Sequence, residues 1–92
     1  MKARAHLFIT GEVQGVFFRS FIKSQAKLHE IRGWVKNLDD GRVEAVFESD
    51  DFRVKDMIEV CRRGPPGAVI KDVEVTWENV TNTPEEGFEI RR

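Results

Sequence analysis

The stretch Gly11-Glu12-Val13-Gln14-Gly15-Val16-Phe17-Phe18-Arg19 sets two glycines four residues apart and ends on a cation. Glycine takes positive φ at no steric cost and lets backbone approach a bound group that a Cβ would hold off. Placed between a strand and a helix, such a loop turns successive N–H groups toward one point, a nest whose partial charges suit an anion. The following helix adds its unpaired first-turn N–H groups and the positive end of its dipole. Arg19 stands where loop becomes helix, and its guanidinium is a planar fork of donors able to hold two phosphate oxygens at once. The chemistry indicated is the binding of a phosphate-sized anion. The spacing is not that of a nucleotide-triphosphate loop, because Val16 and Phe17 follow Gly15 where that motif carries Lys and then Ser or Thr. A plain β–α turn, with glycines for chain reversal and an arginine on the surface, accounts for the same residues, and spacing alone does not choose between the two.

Positioning this loop falls to the elements around it. Ala5 to Thr10 is rich in strand formers and closes at Gly11. Phe18, Phe21, Ile22, Ala26 and Leu28 recur at helical spacing, which predicts a helix starting near Ser20. Gly33 to Leu38 and Arg42 to Glu48 flank Asp39-Asp40-Gly41, and an Asp-Gly pair between two alternating runs predicts a hairpin. Ser49-Asp50-Asp51 offers an N-cap to a second helix carrying Phe52, Val54, Met57, Ile58 and Cys61, stopped by Gly64-Pro65-Pro66-Gly67. Ala68 to Val80 alternates as a fourth strand, and Phe88 to Ile90 is a short fifth after a turn at Asn82-Thr83-Pro84.

The order β-α-β-β-α-β plus a short C-terminal strand predicts an α+β sandwich of ferredoxin-like type, with two helices on one face of an antiparallel sheet. A right-handed crossover makes the first two strands parallel, with the third between them. Both then end at the same edge of the sheet, and the glycine loop and Asn37 become neighbours across the third strand.

Composition narrows the function. The 92 residues carry fifteen Lys and Arg against sixteen Asp and Glu, a net charge of −1, so no global field draws the chain to nucleic acid or to an anionic membrane. One domain over residues 1–92 is expected. The N-terminal apolar run, Leu7 to Ile9, is too short for a signal or a membrane span, which places the protein in the cytoplasm. Cys61 is the single cysteine, so packing and not a disulfide must hold the fold. His6 and His29 have no ligand spacing to Cys, Asp or Glu, so neither a metal nor another cofactor is expected. Turn chemistry accounts for Asp39 and Asp40, capping for Asp50 and Asp51, and packing for Cys61, Trp34 and Trp77.

"GEVQGVFFR" followed by "GWVKNLDDGRVEAVFES", then "GPPGAVIKDVEV" and a closing "GFEI", resembles the acylphosphatase family over nearly the whole chain. The resemblance implies the ferredoxin-like sandwich and hydrolysis of an acyl phosphate to a carboxylate and inorganic phosphate. It implies that Arg19 binds the phosphate, that Asn37 positions the attacking water, and that the backbone of Val13, Gln14, Gly15, Val16, Phe17 and Phe18 supplies the amide cradle. A small-molecule acyl phosphate is then the partner of a monomer. Such a substrate suits a site with no catalytic His, Cys or metal, because a carboxylate leaves readily without protonation, and loose phosphoryl transfer depends on positioning and charge stabilisation. The substrate's own phosphate oxygens would take the proton from water. Where the family usually places Leu-Gly before Gly-Trp-Val, this chain has His29 and Glu30, so the first helix must end differently or hold Glu30 under mild strain. Glu12, inside the loop, must face solvent.

Two binding modules compete on the same sandwich. An RNA-recognition domain needs aromatic and basic residues in its third strand, whereas Arg42 to Glu48 brings two acids and one aromatic. A non-catalytic anion-binding regulatory module would use the loop and Arg19 without turnover. Asn37 separates that module from an enzyme, because a binder has no need to orient water.

Overall fold

The computed structural model of the chain describes residues 1–15, 17–80 and 85–92; Val16 and the turn expected at Asn82-Thr83-Pro84 lie outside them. The elements are β1 (Lys2–Glu12), α1 (Phe18–Leu28), β2 (Arg32–Asn37), β3 (Val43–Asp50), α2 (Asp51–Arg63), β4 (Val69–Glu78) and β5 (Phe88–Arg91). The strands form one sheet in the order β4-β1-β3-β2-β5. Neighbours among β1 to β4 are antiparallel, and β3 separates the parallel pair β1 and β2. The expected all-antiparallel sheet needs one correction: β5 pairs with β2 in parallel, from Gly33 opposite Phe88 to Lys36 opposite Arg91. The chain leaves β4 at one edge and returns at the other in the reverse direction, which is the direction of β2.

Strand periodicity decides which face is covered. In β1, Ala5, Leu7 and Ile9 are fully buried beneath the helices, with Val35 of β2 and Val43, Ala45 and Phe47 of β3. The first helix inserts Phe18, Ile22 and Ala26, one residue per turn, over β2 and β5. The second lies over β1, β3 and β4 and contributes Val54, Met57, Ile58, Val60 and Cys61. Burying an aliphatic or aromatic side chain of this size stabilises the fold by roughly 1.5–3 kcal/mol. Two apolar residues assigned to the helix stripes lie outside: Leu28 is exposed at the last turn of α1, and Phe52 is exposed at the first turn of α2 beneath the Arg53 guanidinium. Full burial pushes the Cys61 thiol up, which leaves it inert as a nucleophile.

The opposite face of the sheet is polar and tightly paired. Arg4 reaches Glu78, Glu48 and Glu85 at 3.0, 3.3 and 3.2 Å. His6 sits between Glu44 and Glu78, at 2.6 and 3.1 Å. Partial burial opposes ionisation of Glu78, yet hydrogen bonds from His6 and Arg4 hold its carboxyl below the usual range. Trp34 packs edge-on to His6 across Val46, with the Arg91 guanidinium 4.6 Å from the indole centre. Trp34 is thus a sheet-face packing residue. Trp77 is half exposed and borders a groove between β4 and α2 with Ile58 and Val75.

Helix ends depart from expectation in instructive ways. Asp50 is the N-cap of α2 but makes no capping hydrogen bond; its carboxylate faces Lys2, and Ser49 belongs to β3, where its hydroxyl donates to the Glu30 carbonyl. Glu30 takes φ 56° after α1. The Ile31 N–H then closes on the Ala26 carbonyl at 2.8 Å, the helix ending that a glycine would provide without strain. Its carboxylate meets Arg53 at 3.1 Å. No helix among the described residues is long and apolar enough to cross a membrane.

Candidate active site

The two glycines of the opening loop turn out to have different reasons. Gly11 lies inside β1 at a bulge against β4, and a Cβ there would stand 2.0 Å from the Val69 carbonyl oxygen. Its work is strand pairing, a correction to the reading that paired it with Gly15 as a ligand-facing glycine. Gly15 has φ 78° and open space where a Cβ would sit, so its requirement is conformation alone. Val13 points into the core, almost fully buried, and pins the start of the loop, while Gln14, Gly15 and Phe17 are exposed.

The helix begins earlier than its apolar spacing suggested, at Phe18, with Phe17 in the N-cap position and no side-chain cap. The N–H groups of Phe18, Arg19 and Ser20 therefore have no partner within the helix, whereas that of Phe21 reaches the Phe17 carbonyl at 2.9 Å. A helix entered without Ser, Thr, Asp or Asn leaves its first-turn donors open to an outside acceptor.

Gly15, Phe17, Phe18, Arg19, Ser20 and Asn37 line one cavity of about 260 Å³. That is small beside the ~300–1,000 Å³ of typical ligand pockets and suits a compact substrate. The juxtaposition of Arg19 and Asn37 follows from topology, since β1 and β2 run parallel on either side of β3 and deliver both groups to one edge. Arg19 is half-buried and makes no ion pair with the described residues, in a chain where most arginines are engaged. Asn37 Oδ1 is buried and accepts no hydrogen bond from them. A buried acceptor left unpaired costs stability, so its retention at the wall of a cavity points to a role there. Glu12, as expected, is exposed.

Two features escaped the reading of the sequence. Ser20 borders the cavity from the first turn of α1, a position that only the true helix start reveals. Gln14 donates from Nε2 to the carbonyls of Leu38 and Arg42 at 2.9 and 3.0 Å. These are the residues that close the hairpin: the Leu38 N–H donates to the Arg42 carbonyl, and Asp40 binds both the backbone and the guanidinium of Arg42. Those bonds, the backbone one foremost, hold the Asp40 carboxyl below its usual range. Gln14 thus ties the loop to the strand end that carries Asn37. No group of three or more His, Cys, Asp or Glu among the described residues is placed to hold a metal ion.

Comparison with known proteins agrees with this architecture. The acylphosphatase family model matches residues 5–90. An acylphosphatase of Haloquadratum walsbyi is 48% identical over 91 residues, spanning 99% of this chain and 96% of that one. One from Pyrobaculum arsenaticum is 58% identical over 77 residues, 83% and 81% of the two chains. The crystal structure of acylphosphatase from Bacillus subtilis superposes with a TM-score of 0.93 at 33% identity, each chain covered in full. The matches extend over most or all of both chains, and the protein belongs to the acylphosphatase family, hydrolases of acyl phosphates.

Proposed function

We propose that the cavity of Arg19 and Asn37 is where acyl phosphate is hydrolysed, by attack of water on phosphorus. The backbone of Val13 to Phe18 and the fork of Arg19 hold the phosphate oxygens, and Asn37 Oδ1 accepts a hydrogen bond from the attacking water. The acyl phosphate dianion and water give a carboxylate and dihydrogen phosphate. Water oxygen bonds to phosphorus, the bridging P–O bond breaks with its electron pair passing to the carboxylate, and both water protons end on phosphate oxygens. Among the described residues no carboxylate borders the cavity, which favours the substrate's own oxygens as proton acceptor. The observation that carries the reading is that Asn37, whose buried Oδ1 has no hydrogen-bond partner among the described residues, lines the same cavity as an arginine that makes no ion pair with them. It also favours an enzyme over a non-catalytic anion binder. Hydrolysis of benzoyl phosphate in ¹⁸O-water tests it: the label is expected in phosphate, and label in benzoate would mean attack at the carbonyl carbon and overturn the mechanism.

In this reading residues 1–92 act as one domain, a monomer in the cytoplasm with no nucleic-acid partner. The near-balanced charge and the acids Glu44, Glu48 and Glu78 on the open sheet face speak against a nucleic-acid partner. Gln14 acts at one remove, by holding the phosphate loop in register with Asn37. Gln14→Ala is expected to lower kcat/KM for benzoyl phosphate about ten-fold, because small misplacements of positioned groups are costly in rate. Gln14→Glu should do no better, since a carboxylate cannot donate to two carbonyls. Both variants should melt within a few degrees of the parent, the side chain being exposed.

A further inference from the structure

Two adjacent phenylalanines enter α1 and meet opposite fates. Phe18 is 1% exposed and anchors the helix in the core; Phe17 is 85% exposed, in a left-handed conformation at φ 57° and ψ 29°. A non-glycine residue held there is strained, and a ring left in water forgoes the gain of burial. Neither cost is recovered inside the fold, for Phe17 joins neither the core nor any aromatic or cation–π pair among the described residues. Strain of this kind persists at sites of function. Phe17 lines the cavity of Arg19 and Asn37 while staying exposed, which puts it on the cavity's open side.

We infer that Phe17 is a specificity-determining residue whose ring contacts the acyl group, favouring acyl phosphates with an aromatic or extended apolar acyl chain over small ones. This rests on the proposed phosphate site. With the phosphate held by the loop amides and Arg19, the acyl group projects toward the open mouth. Among the described lining residues, Phe17 is the one apolar side chain exposed there, since Gly15 has none, Arg19, Ser20 and Asn37 are polar, and Phe18 is buried. An aromatic ring meeting an aromatic or alkyl acyl group removes apolar area from water on both sides and adds a stacking contribution. An acetyl group is too small to cover the ring.

The test compares kcat/KM for benzoyl phosphate and acetyl phosphate in the parent, Phe17→Gly and Phe17→Asn. Both replacements tolerate the left-handed backbone, so they remove the ring without forcing the loop to a new conformation. The expected result is that the benzoyl-to-acetyl ratio of kcat/KM falls about five-fold in both variants, carried mainly by KM for benzoyl phosphate. A ratio unchanged from the parent, or lowered in only one of the two variants, overturns the inference while leaving the hydrolytic reading intact. A parent that hydrolyses neither substrate refutes the hydrolytic reading, and the role of Phe17 with it.

Discussion

Arg19→Lys is expected to fold like the parent and to hydrolyse benzoyl phosphate at least 10²-fold more slowly, with Arg19→Ala at or beyond 10³-fold, the range seen when one preorganised donor to developing charge is lost. Charge is not what the lysine variant lacks. An ammonium keeps the positive charge but offers a compact point on a flexible stem, whereas the guanidinium presents two parallel donors in a fixed plane. In a loose phosphoryl-transfer transition state the charge lies on equatorial oxygens, and a fork bridging two of them is matched to that distribution. Stability should barely change, because Arg19 makes no ion pair with the described residues and is half-buried at the mouth of a cavity. Thermal melting and steady-state phosphate release check the two halves separately. Near-parental turnover by a folded Arg19→Lys protein would remove the arginine from the mechanism.

Asn37→Ala should separate activity from stability more sharply. Removing a buried acceptor that has no partner among the described residues relieves a desolvation cost, so the variant is expected to be as stable as the parent or slightly more so. Its rate on benzoyl phosphate should fall on the order of 10²-fold, since in the proposed mechanism the water loses the acceptor that fixes its direction. An asparagine retained for structure would give the opposite pattern, a lower melting temperature with turnover kept. This opposition makes Asn37 the better discriminator between an enzyme and an anion binder, for binding of inorganic phosphate to loop and arginine does not require the water to be aimed.

Much of this arrangement is legible in the residues because it rests on local pattern. The strand formers of Ala5 to Thr10 mark β1, and Asp40-Gly41 sets the hairpin, with Gly41 at φ 96°. Crossover handedness then brings Asn37 to the loop without any contact having been seen. What stayed hidden depends on neighbours distant in the chain. The need for Gly11 comes from the Val69 carbonyl, across a sheet pair that periodicity does not identify. The parallel placing of β5 is a matter of which edge remained free. Leu28 continues the apolar spacing of α1 but sits exposed in its last turn, where no described element covers it. The true helix start is hard to read because Phe17 is a poor cap by type and its left-handed backbone is not one that a phenylalanine prefers. The clamp from Gln14 needs both ends of the hairpin in place before it has anything to bind.

The central position of β1, between β3 and β4, also bears on how the enzyme is made. Its partners come from the middle and the far end of the chain, so the loop hung from its C-terminal end is framed only after both have docked. Closing such distant pairs carries the loop entropy that slows folding. Arg19 can sit in a helical turn early, and Asn37 in a hairpin early, yet neither faces the other until the sheet is assembled around β1. In refolding, catalytic competence is thus expected to appear late, with recovered turnover tracking completion of the whole sheet and not the formation of any one element.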